Sequence, residues 1–283
     1  MAEERPFSVA VLFGVVWVLL AYLAGVLVLP VWSYLNIGLC SLAVLLCVMN
    51  YVNEYLGKFP LDYSKFASDG EINARLGWSL AYALPAVIQI VLWYIVGMPQ
   101  TTFHLVALVT FVSHFGKRVL EVLFLHKYSK KISVLGVAEV STFYSVGSTV
   151  QHYWCNIYTD NTLAVNLSSN CTALTVGVVL YITGEFINLY HHWVLAKLRP
   201  AGISSGYTVP QGGLFSYVVC AHYCGEVIAW YGMAVVCNHL CIYLAWMVIV
   251  CYLAGRSHQT QLWYQKKIEN FPKDRRNLFP GVY

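Results

Sequence analysis

The sequence predicts an all-α membrane bundle of seven or eight transmembrane helices. Of its 283 residues, 59% are hydrophobic and only 11% are charged, whereas soluble domains carry about 25% charged residues. The mean hydropathy is +0.61. Eight apolar windows, joined by short polar connections, are each close to the length of about 20 residues that crosses a bilayer core. Because a bilayer forces each span to satisfy its own backbone hydrogen bonds, these windows are predicted to be helices.

The windows follow one another along the whole chain. They cover about residues 8–30, 33–52, 77–97, 104–126, 134–152, 172–195, 214–235 and 237–254. The last two are so tightly spaced that the count stays at seven or eight. The acidic start, MAEERPF, precedes an apolar run that is too long for a signal-peptide core, so the first window is predicted to be an uncleaved helix. The short connections leave no room for a separate soluble domain.

The distribution of Lys and Arg predicts the orientation of the helices. The connections after windows two, four, six and eight are basic, whereas the alternate connections 97–102 and 153–171 contain neither residue. Because basic loops stay in the cytosol, both termini are predicted to be cytosolic. The outer connection carries N-x-S/T tripeptides at Asn166 and Asn170, which suit that side. It also carries Cys155 and Cys171, and whether these two pair is left open.

Charge and cysteine content argue against two other classes of protein. A net charge of +4 is modest and reflects the basic loops, so no nucleic-acid partner is predicted. The nine cysteines include no CxxC pair, and most lie in or near apolar windows, where cysteine usually packs as a small residue. One His-His pair and scattered single histidines do not supply the ligands of a membrane di-iron oxidase. No metal site is predicted.

Charged residues inside the fourth window mark a candidate functional position, because a charge at bilayer depth is costly unless it faces a partner or a cavity. In HFGKRVLEVLFLHKYSKK, His114 and Arg118 are four residues apart, as are Lys117 and Glu121. Such pairs stack along a helix. Two interpretations stay open: an internal ion pair near the cytosolic interface, or a polar pocket that Lys117 and Arg118 face.

Later segments add further polar groups on the predicted cytosolic side. TGEFINLYHHW contains Glu185 and Asn188, and VVCAHYCGEVIAW contains Glu226 in mid-window. The loop GYTVPQGGLF places paired glycines before a helix N-terminus, an arrangement that suits a phosphate. The basic tail adds positive charge on the same face. Together these features predict an anionic ligand that enters from the cytosol.

Several ordered motifs carry a resemblance to a known family. LRPAG, VPQGGLFSYVVCAHYCGEVIAWYG, and the terminal YQKKIENFPKDRRNLFPGVY resemble the C-terminal half of steroid 5-alpha-reductases. HFGKRVLEVLFLHKYS is more similar to the sister group, the very-long-chain trans-2-enoyl-CoA reductases. The resemblance covers about residues 76–283. It divides the chain into an N-terminal transmembrane hairpin and cytosolic loop at 1–75 and a membrane reductase domain at 76–283.

The resemblance implies a multi-pass enzyme of the endoplasmic reticulum membrane. Such an enzyme binds NADPH at its cytosolic end and reduces a carbon-carbon double bond conjugated to a carbonyl. The implied partners are a lipid substrate, either an enoyl-CoA or a sterol, and other lipid-elongation or sterol enzymes. The positions implied to bind NADPH are Asn188, Arg199, Tyr207, His222, Glu226, Arg256 and Tyr264. For Glu226, neutralising a basic neighbour in the bundle is the alternative.

The catalytic assignment also follows from the resemblance. Lys117 and Tyr223 match the lysine and tyrosine that we connect with catalysis in the enoyl reductases. Tyr223 is predicted to donate a hydrogen bond or proton, while Lys117 or Arg118 stabilises the charge that develops on the substrate carbonyl.

Departures from the family pattern bear on the substrate. The resemblance implies a carbonyl-binding glutamate and tyrosine in steroid reductases, and here these positions are Trp78 and Phe115. Thr260 replaces a tail histidine, and His192 replaces an aspartate. The sequence therefore slightly favours a trans-2-enoyl-CoA in fatty-acid elongation, with a 3-oxo-delta-4 sterol as the alternative. A membrane methyltransferase and a non-catalytic scaffold of the same fold are the rival classes.

Overall fold

The computed structural model describes residues 6–61, 70–97, 100–128, 131–158, 166–167, 169–198 and 208–283. Within these ranges the chain is almost entirely helical, which confirms the predicted all-α membrane bundle. The long helices are α1 Phe7–Leu23, α2 Tyr34–Asn50, α3 Ala74–Val96, α4 Thr102–Leu120, α5 Val134–His152, α6 Cys171–Lys197, α7 Ala221–Cys237 and α8 Leu240–Lys267. Two-residue strands β1 Ile72–Asn73 and β2 Lys131–Ile132 pair antiparallel. The number of spans, seven or eight, stays a prediction.

Three helices continue directly into π-helical turns, at Tyr51–Tyr55, Glu121–Leu125 and Tyr153–Tyr158. Four of the described helical segments are long and apolar enough to cross a membrane: 34–55, 74–96, 171–197 and 240–267. The seventh helix begins at Ala221, later than the predicted 214, because Gly213–Ser216 forms a separate 3-10 turn with Phe215 buried. The eighth helix extends to Lys267, well beyond the predicted 254.

Short polar side chains set the starts of five helices. Each accepts a backbone N–H of the first turn, which would otherwise lack a partner. The capping residues are Ser33, Asn73, Thr101, Ser133 and Asn170. Asn170, which the sequence also offers as a glycosylation acceptor, thus caps α6. Of the two cysteines in the same connection, Cys155 is buried and Cys171 is exposed. Both are free thiols.

The two ends of the bundle are defined by contacts between helix ends. At the outer end, Val28 pairs with His239, and the rings of Trp154 and His239 lie 5.3 Å apart. At the inner end, Tyr55 stacks on His258 at 4.3 Å, and the β1–β2 ladder joins the start of α3 to the segment before α5. The inner end is thus formed by the helix ends that adjoin the basic connections, and the outer end by those that adjoin the connections without Lys or Arg.

Glycines let α6 and α7 pack backbone against backbone. A Cβ added at Gly184 would overlap the backbone of Gly225 and Ala229, and one added at Gly225 would overlap the backbone of Gly184 and Asn188. The same relationship recurs between Gly232 on α7 and the backbone of α6. Small residues at such a seam are typical of membrane helix pairs. The close approach places the Asn188 side chain directly beside the first turns of α7.

Candidate active site

A buried charged network lies where α4, α6 and α7 meet at the inner half of the bundle. Helical spacing of three and four residues places its members on facing surfaces. We call it the charged network, and it consists of His114, Lys117, Arg118, Glu121, Glu185, Asn188, His192 and Glu226. Its charged side chains are between 1% and 18% exposed. Charges this deep in a protein persist only when they are paired.

Lys117 is held mainly from across the helix interface. Its Nζ lies 2.6 Å from Glu185 Oε2 and 2.6 Å from Asn188 Oδ1, both on α6. The pair predicted within the fourth window, Lys117 with Glu121, is longer at 3.7 Å. At 18% exposure, Lys117 is the most accessible charged side chain of the network. The structure therefore combines both interpretations of the sequence, an ion pair and a polar site.

His114 bridges two carboxylates and is 1% exposed. Its Nδ1 lies 2.5 Å from Glu185 Oε1, and its Nε2 lies 3.3 Å from Glu226 Oε1. Because both ring nitrogens face carboxylate oxygens, both carry a proton and the ring is an imidazolium. Together with Lys117 and Arg118, it balances the three carboxylates of the network. The sequence paired His114 with Arg118, and the structure pairs it with Glu185 and Glu226.

Arg118 is held by three hydrogen bonds within its own chain. Its guanidinium donates to Glu121, to His192 Nδ1 at 3.0 Å and to the Tyr82 hydroxyl at 3.0 Å. It also lies 4.8 Å from the centroid of the Tyr82 ring, which is a cation–π distance. Arg118 is 11% exposed. Of the two predicted charge-stabilising residues, Lys117 is thus the better placed to meet a ligand.

Asn188 joins α6 to the start of α7. Its Nδ2 donates to Glu226 Oε2 at 3.0 Å and to the His222 carbonyl at 2.9 Å, while its Oδ1 accepts from Lys117. Glu226 also accepts from Trp230 Nε1 at 3.1 Å. Both roles considered for Glu226 stay open, because it faces the basic His114 and yet remains 12% exposed.

Tyr223 follows His222 in the chain, and the His222 ring lies 5.2 Å from the ring of His192 in the charged network. The rings of Tyr223 and His222 are 4.2 Å apart, and Tyr223 packs against a buried cluster that includes Tyr264 and Phe271. Tyr264 stacks on Phe271 with ring centroids 5.1 Å apart. The backbone of His222 links this cluster to Asn188. Tyr223 and Lys117 therefore flank one junction, between α6, the start of α7 and the C-terminal tail.

Arg256 is paired with a residue that the sequence analysis did not single out. Its Nη1 donates to Glu54 Oε2 at 3.2 Å and to the Leu61 carbonyl at 3.0 Å, and Glu54 Oε1 accepts from the Leu61 amide at 2.8 Å. Arg256 and Glu54 are each 1% exposed. A single carboxylate at the end of the second window was the available signal. Arg199 and Tyr207 lie outside the described residues.

The paired glycines of the PQGGLF loop serve the contact with α6. Gly212 and Gly213 have φ values of +91° and +54°, a region that favours glycine. A Cβ on Gly213 would lie 2.7 Å from His191 Nε2, and this same nitrogen accepts from the Leu214 amide at 3.0 Å. The positive φ values account for both glycines, the packing against α6 adds a second reason for Gly213, and the phosphate that the sequence suggested stays a prediction.

One group in the described part of the chain has the composition of a metal site. Ligand atoms of Glu121, His126 and His192 all lie within 4.8 Å of one another. Arg118 donates to both Glu121 and His192, so its positive charge opposes a cation there. Burial and the neighbouring His192 and Arg118 lower the pKa of His126 to about 2. We assign no metal to this group.

Trp78 and Phe115 belong to an aromatic cluster beside Arg118. Trp78 stacks on Tyr82 at 5.5 Å, and Phe115 meets Tyr144 edge-on at 5.1 Å. Phe115 is fully buried and Trp78 is 9% exposed. Within this cluster, the Tyr82 hydroxyl accepts a hydrogen bond from Arg118.

The polar groups at the junction have the chemistry that a nicotinamide dinucleotide requires. An amide, an imidazole and a carboxylate, from Asn188, His222 and Glu226, suit the carboxamide and hydroxyl groups of such a cofactor. Lysines and arginines of the neighbouring tail, among them Arg275 and Arg276, suit its phosphates. Asn188 and Arg256 already form hydrogen bonds within the chain.

Comparison with known proteins places these residues in a family. A family model described as 3-oxo-5-alpha-steroid 4-dehydrogenase matches residues 130–283. Human 3-oxo-5-alpha-steroid 4-dehydrogenase 1 is 29% identical over 189 residues, which are 63% of this chain and 67% of the relative. The Bos taurus protein of that name is 28% identical over 251 residues, 85% of this chain and 95% of the relative. Human 3-oxo-5-alpha-steroid 4-dehydrogenase 2 is 37% identical over 109 residues, 38% of this chain and 42% of the relative.

These relatives revise the balance between the two predicted substrates. Their names favour the sterol alternative over the enoyl-CoA interpretation that the sequence slightly preferred. The family match begins at residue 130, so the predicted domain boundary at 75/76 stays a prediction. The oxidoreductase class and the membrane bundle agree with the sequence analysis. The chain belongs to the 3-oxo-5-alpha-steroid 4-dehydrogenase family, the steroid 5-alpha-reductases.

Proposed function

We propose that this protein is an NADPH-dependent reductase of the endoplasmic reticulum membrane, with its termini in the cytosol. It reduces a carbon-carbon double bond conjugated to a carbonyl in a lipid, and a 3-oxo-delta-4 sterol is the first candidate substrate. The observation that carries the proposal is the ammonium of Lys117, held by Glu185 and Asn188 at the junction of α4, α6 and α7. The names of the relatives support the sterol.

Reduction of a conjugated double bond sets the task of the site. Bound NADPH would supply the hydride, which the substrate accepts at its beta carbon. Negative charge then develops on the substrate carbonyl oxygen, and a preorganised donor lowers the cost of that charge. Lys117 has three N–H donors. Glu185 and Asn188 hold two of them at 2.6 Å, and the third, towards the longer contact with Glu121 at 3.7 Å, is the one we assign to the carbonyl.

The remaining residues orient the groups and deliver a proton. Tyr223 would donate the proton that completes the reduction, next to His222. His222 and Glu226 would contact the cofactor, with Tyr264 and, outside the described residues, Arg199 and Tyr207. Asn188 fixes Glu226 and Lys117 relative to each other, and Arg256 ties the second helix to the eighth. Arg118 holds Tyr82 and Glu121 in place.

A trans-2-enoyl-CoA is the second candidate substrate. The observation that favours it is the aromatic cluster around Trp78 and Phe115, which offers no carboxylate to a steroid carbonyl at those two positions. An acyl-CoA thioester also carries phosphates, which the basic residues at the inner end would attract. Its reduction needs the same oxyanion stabilisation, so Lys117 and Tyr223 keep their roles.

The test is product analysis with detergent-purified protein and NADPH. A 3-oxo-delta-4 steroid and a long-chain trans-2-enoyl-CoA are offered in parallel, and the saturated products are identified by mass spectrometry. We expect the 5-alpha-reduced steroid. Reduction of the enoyl-CoA alone would transfer the assignment to the second candidate. Binding of NADPH without turnover of either substrate would contradict both.

A further inference from the structure

The second helix lies at the lipid-exposed edge of the bundle and needs specific ties to remain there. Among the residues of α2 itself only Asn36 is buried. Apolar surface gives no strong drive for helix association inside a bilayer, so polar and close-packed contacts matter more. At the inner half, α2 and its π-helical turn are tied to α8 by three such contacts: Asn50 to the Val248 carbonyl, Glu54 to Arg256, and Gln259 to the Tyr55 carbonyl.

At the outer half, the corresponding contact is between two thiols. Cys40 Sγ lies 3.6 Å from Cys241 Sγ, and the two residues are 201 positions apart in the chain. Cys40 is about 9 Å along α2 from its start at Tyr34, and Cys241 is the second residue of α8. Cys40 is partly exposed, whereas Cys241 is buried. A second pair on the same interface, Cys47 with Cys251, lies about 10 Å deeper.

We propose that Cys40 and Cys241 form a reversible disulfide that fastens α2 to α8 at the outer end of the bundle. This end holds the connections without Lys or Arg and the two N-x-S/T tripeptides, so it is predicted to face a compartment that permits disulfides. Cys40 is the more exposed of the two thiols, and Cys241 lies at the outer end of α8. The deeper pair is further from any water-soluble oxidant.

The reaction is a thiol–disulfide exchange with a low-molecular-mass disulfide. The Cys40 thiol loses its proton and attacks one sulfur of that disulfide, which releases one thiolate and leaves a mixed disulfide on Cys40. The Cys241 thiol then loses its proton and displaces the second thiolate. The two protons end on the released thiols, so the two cysteines are oxidised and the external disulfide is reduced to two thiols. No other oxidant is needed.

The disulfide would give the α2–α8 pair a specific tie at both ends. At the inner end, Glu54, in the π-helical turn after α2, forms an ion pair with Arg256. At the outer end, the disulfide would join α2 to α8. A disulfide limits the separation of the two helices in the unfolded ensemble and so stabilises the folded bundle. This inference does not depend on the proposed reductase activity.

The test counts protected thiols in the full-length protein in membranes. Membranes are treated with oxidised glutathione, remaining thiols are blocked with N-ethylmaleimide, and digested peptides are analysed with and without reduction. We expect a linked pair of peptides containing Cys40 and Cys241, and two fewer blocked thiols among the nine cysteines. The C47S/C251S double variant is the matched control and should keep the link.

Two results would overturn the inference. One is that every cysteine of the wild type, including Cys40, remains reactive after oxidation. The other is a protected-thiol count that is the same in C40A, C241A and the wild type. Thermal unfolding gives a second measurement. Dithiothreitol should lower the unfolding temperature of the oxidised wild type and leave that of C40A unchanged.

Discussion

The Nζ of Lys117 lies 2.6 Å from Oε2 of Glu185, and this ion pair joins α4 to α6 inside the bundle. Asn188, one turn further along α6, accepts from the same ammonium and donates to Glu226 on α7. Three helices therefore converge on one lysine. Because the surrounding charges fix the position of its ammonium, we propose Lys117 as a preorganised donor to an anionic oxygen of the substrate.

The contact between α6 and α7 predicts that Gly184 does not tolerate a side chain. Gly184→Ala places a Cβ against the backbone of Gly225 and Ala229, and should cost about 1–3 kcal/mol of stability, as overpacking does. Thermal unfolding in detergent measures this loss. Gly116→Ala is the matched control, since no atom lies within 4 Å of the added Cβ, and it should unfold like the wild type. Equal unfolding temperatures for the two variants would contradict the packing.

The charge balance of the network predicts a strong effect of removing His114. His114→Gln leaves Glu185 and Glu226 facing each other without the imidazolium, and should destabilise the fold by about 3–5 kcal/mol. The double variant H114Q/E226Q removes one negative charge as well and should recover part of that loss. Denaturation of H114Q, E226Q and the double variant measures the coupling. If the double variant were less stable by the full sum of the two single changes, His114 would not be a bridging cation.

Tyr223 is predicted to act in turnover and not in cofactor binding. Tyr223→Phe keeps the ring packing with His222 and with the Tyr264 cluster but removes the hydroxyl. Turnover of the steroid should fall about 10²–10⁴-fold, the usual effect of losing a general acid. The Kd for NADPH should stay within about twofold, since the ring contacts that shape this side of the junction remain. Tyr217→Phe, at a residue that is 62% exposed, is the control. Unchanged turnover in Tyr223→Phe would remove its assigned role.

The environment of His126 predicts an acid-sensitive fold. Its pKa falls from 6.5 to about 2 in the folded protein, because of burial and the nearby His192 and Arg118. Between these two values the unfolded chain binds a proton that the folded chain does not, so stability decreases as the pH falls below about 6.5. Unfolding temperatures between pH 7.5 and 5 measure this decrease. His126→Gln does not titrate and should show a shallower decrease; an identical pH profile would contradict the prediction.

The helical membrane architecture could be predicted from the sequence because hydropathy and the placement of Lys and Arg depend on the bilayer, which acts on every helix separately. The sequence also singled out Lys117, Asn188 and Glu226, which the structure brings into contact. It did not predict that His114 bridges two carboxylates or that Glu54 binds Arg256, because both depend on which helices pack together. The requirement for glycine at position 184 becomes evident only when the facing backbone is known.

The PQGGLF loop and the seventh helix show the same limit. Paired glycines before a helix suggested a phosphate, which stays a prediction; the contact of Gly213 with His191 is a packing role that the sequence did not show. The predicted start at 214 merged a short 3-10 turn with the helix that begins at Ala221, because both are apolar. Apolar character alone does not distinguish a buried turn from a span.

The measurement that tests the central claim most directly is steroid-dependent NADPH oxidation by the purified wild type and by Lys117→Met, with NADPH binding measured separately. Loss of the ammonium should lower kcat by about 10²-fold or more, the usual size of a missing oxyanion donor. NADPH binding should persist. Lys197→Met is the control, because Lys197 lies over the Trp193 ring outside the network, and it should retain full turnover. Undiminished turnover in Lys117→Met would contradict the account.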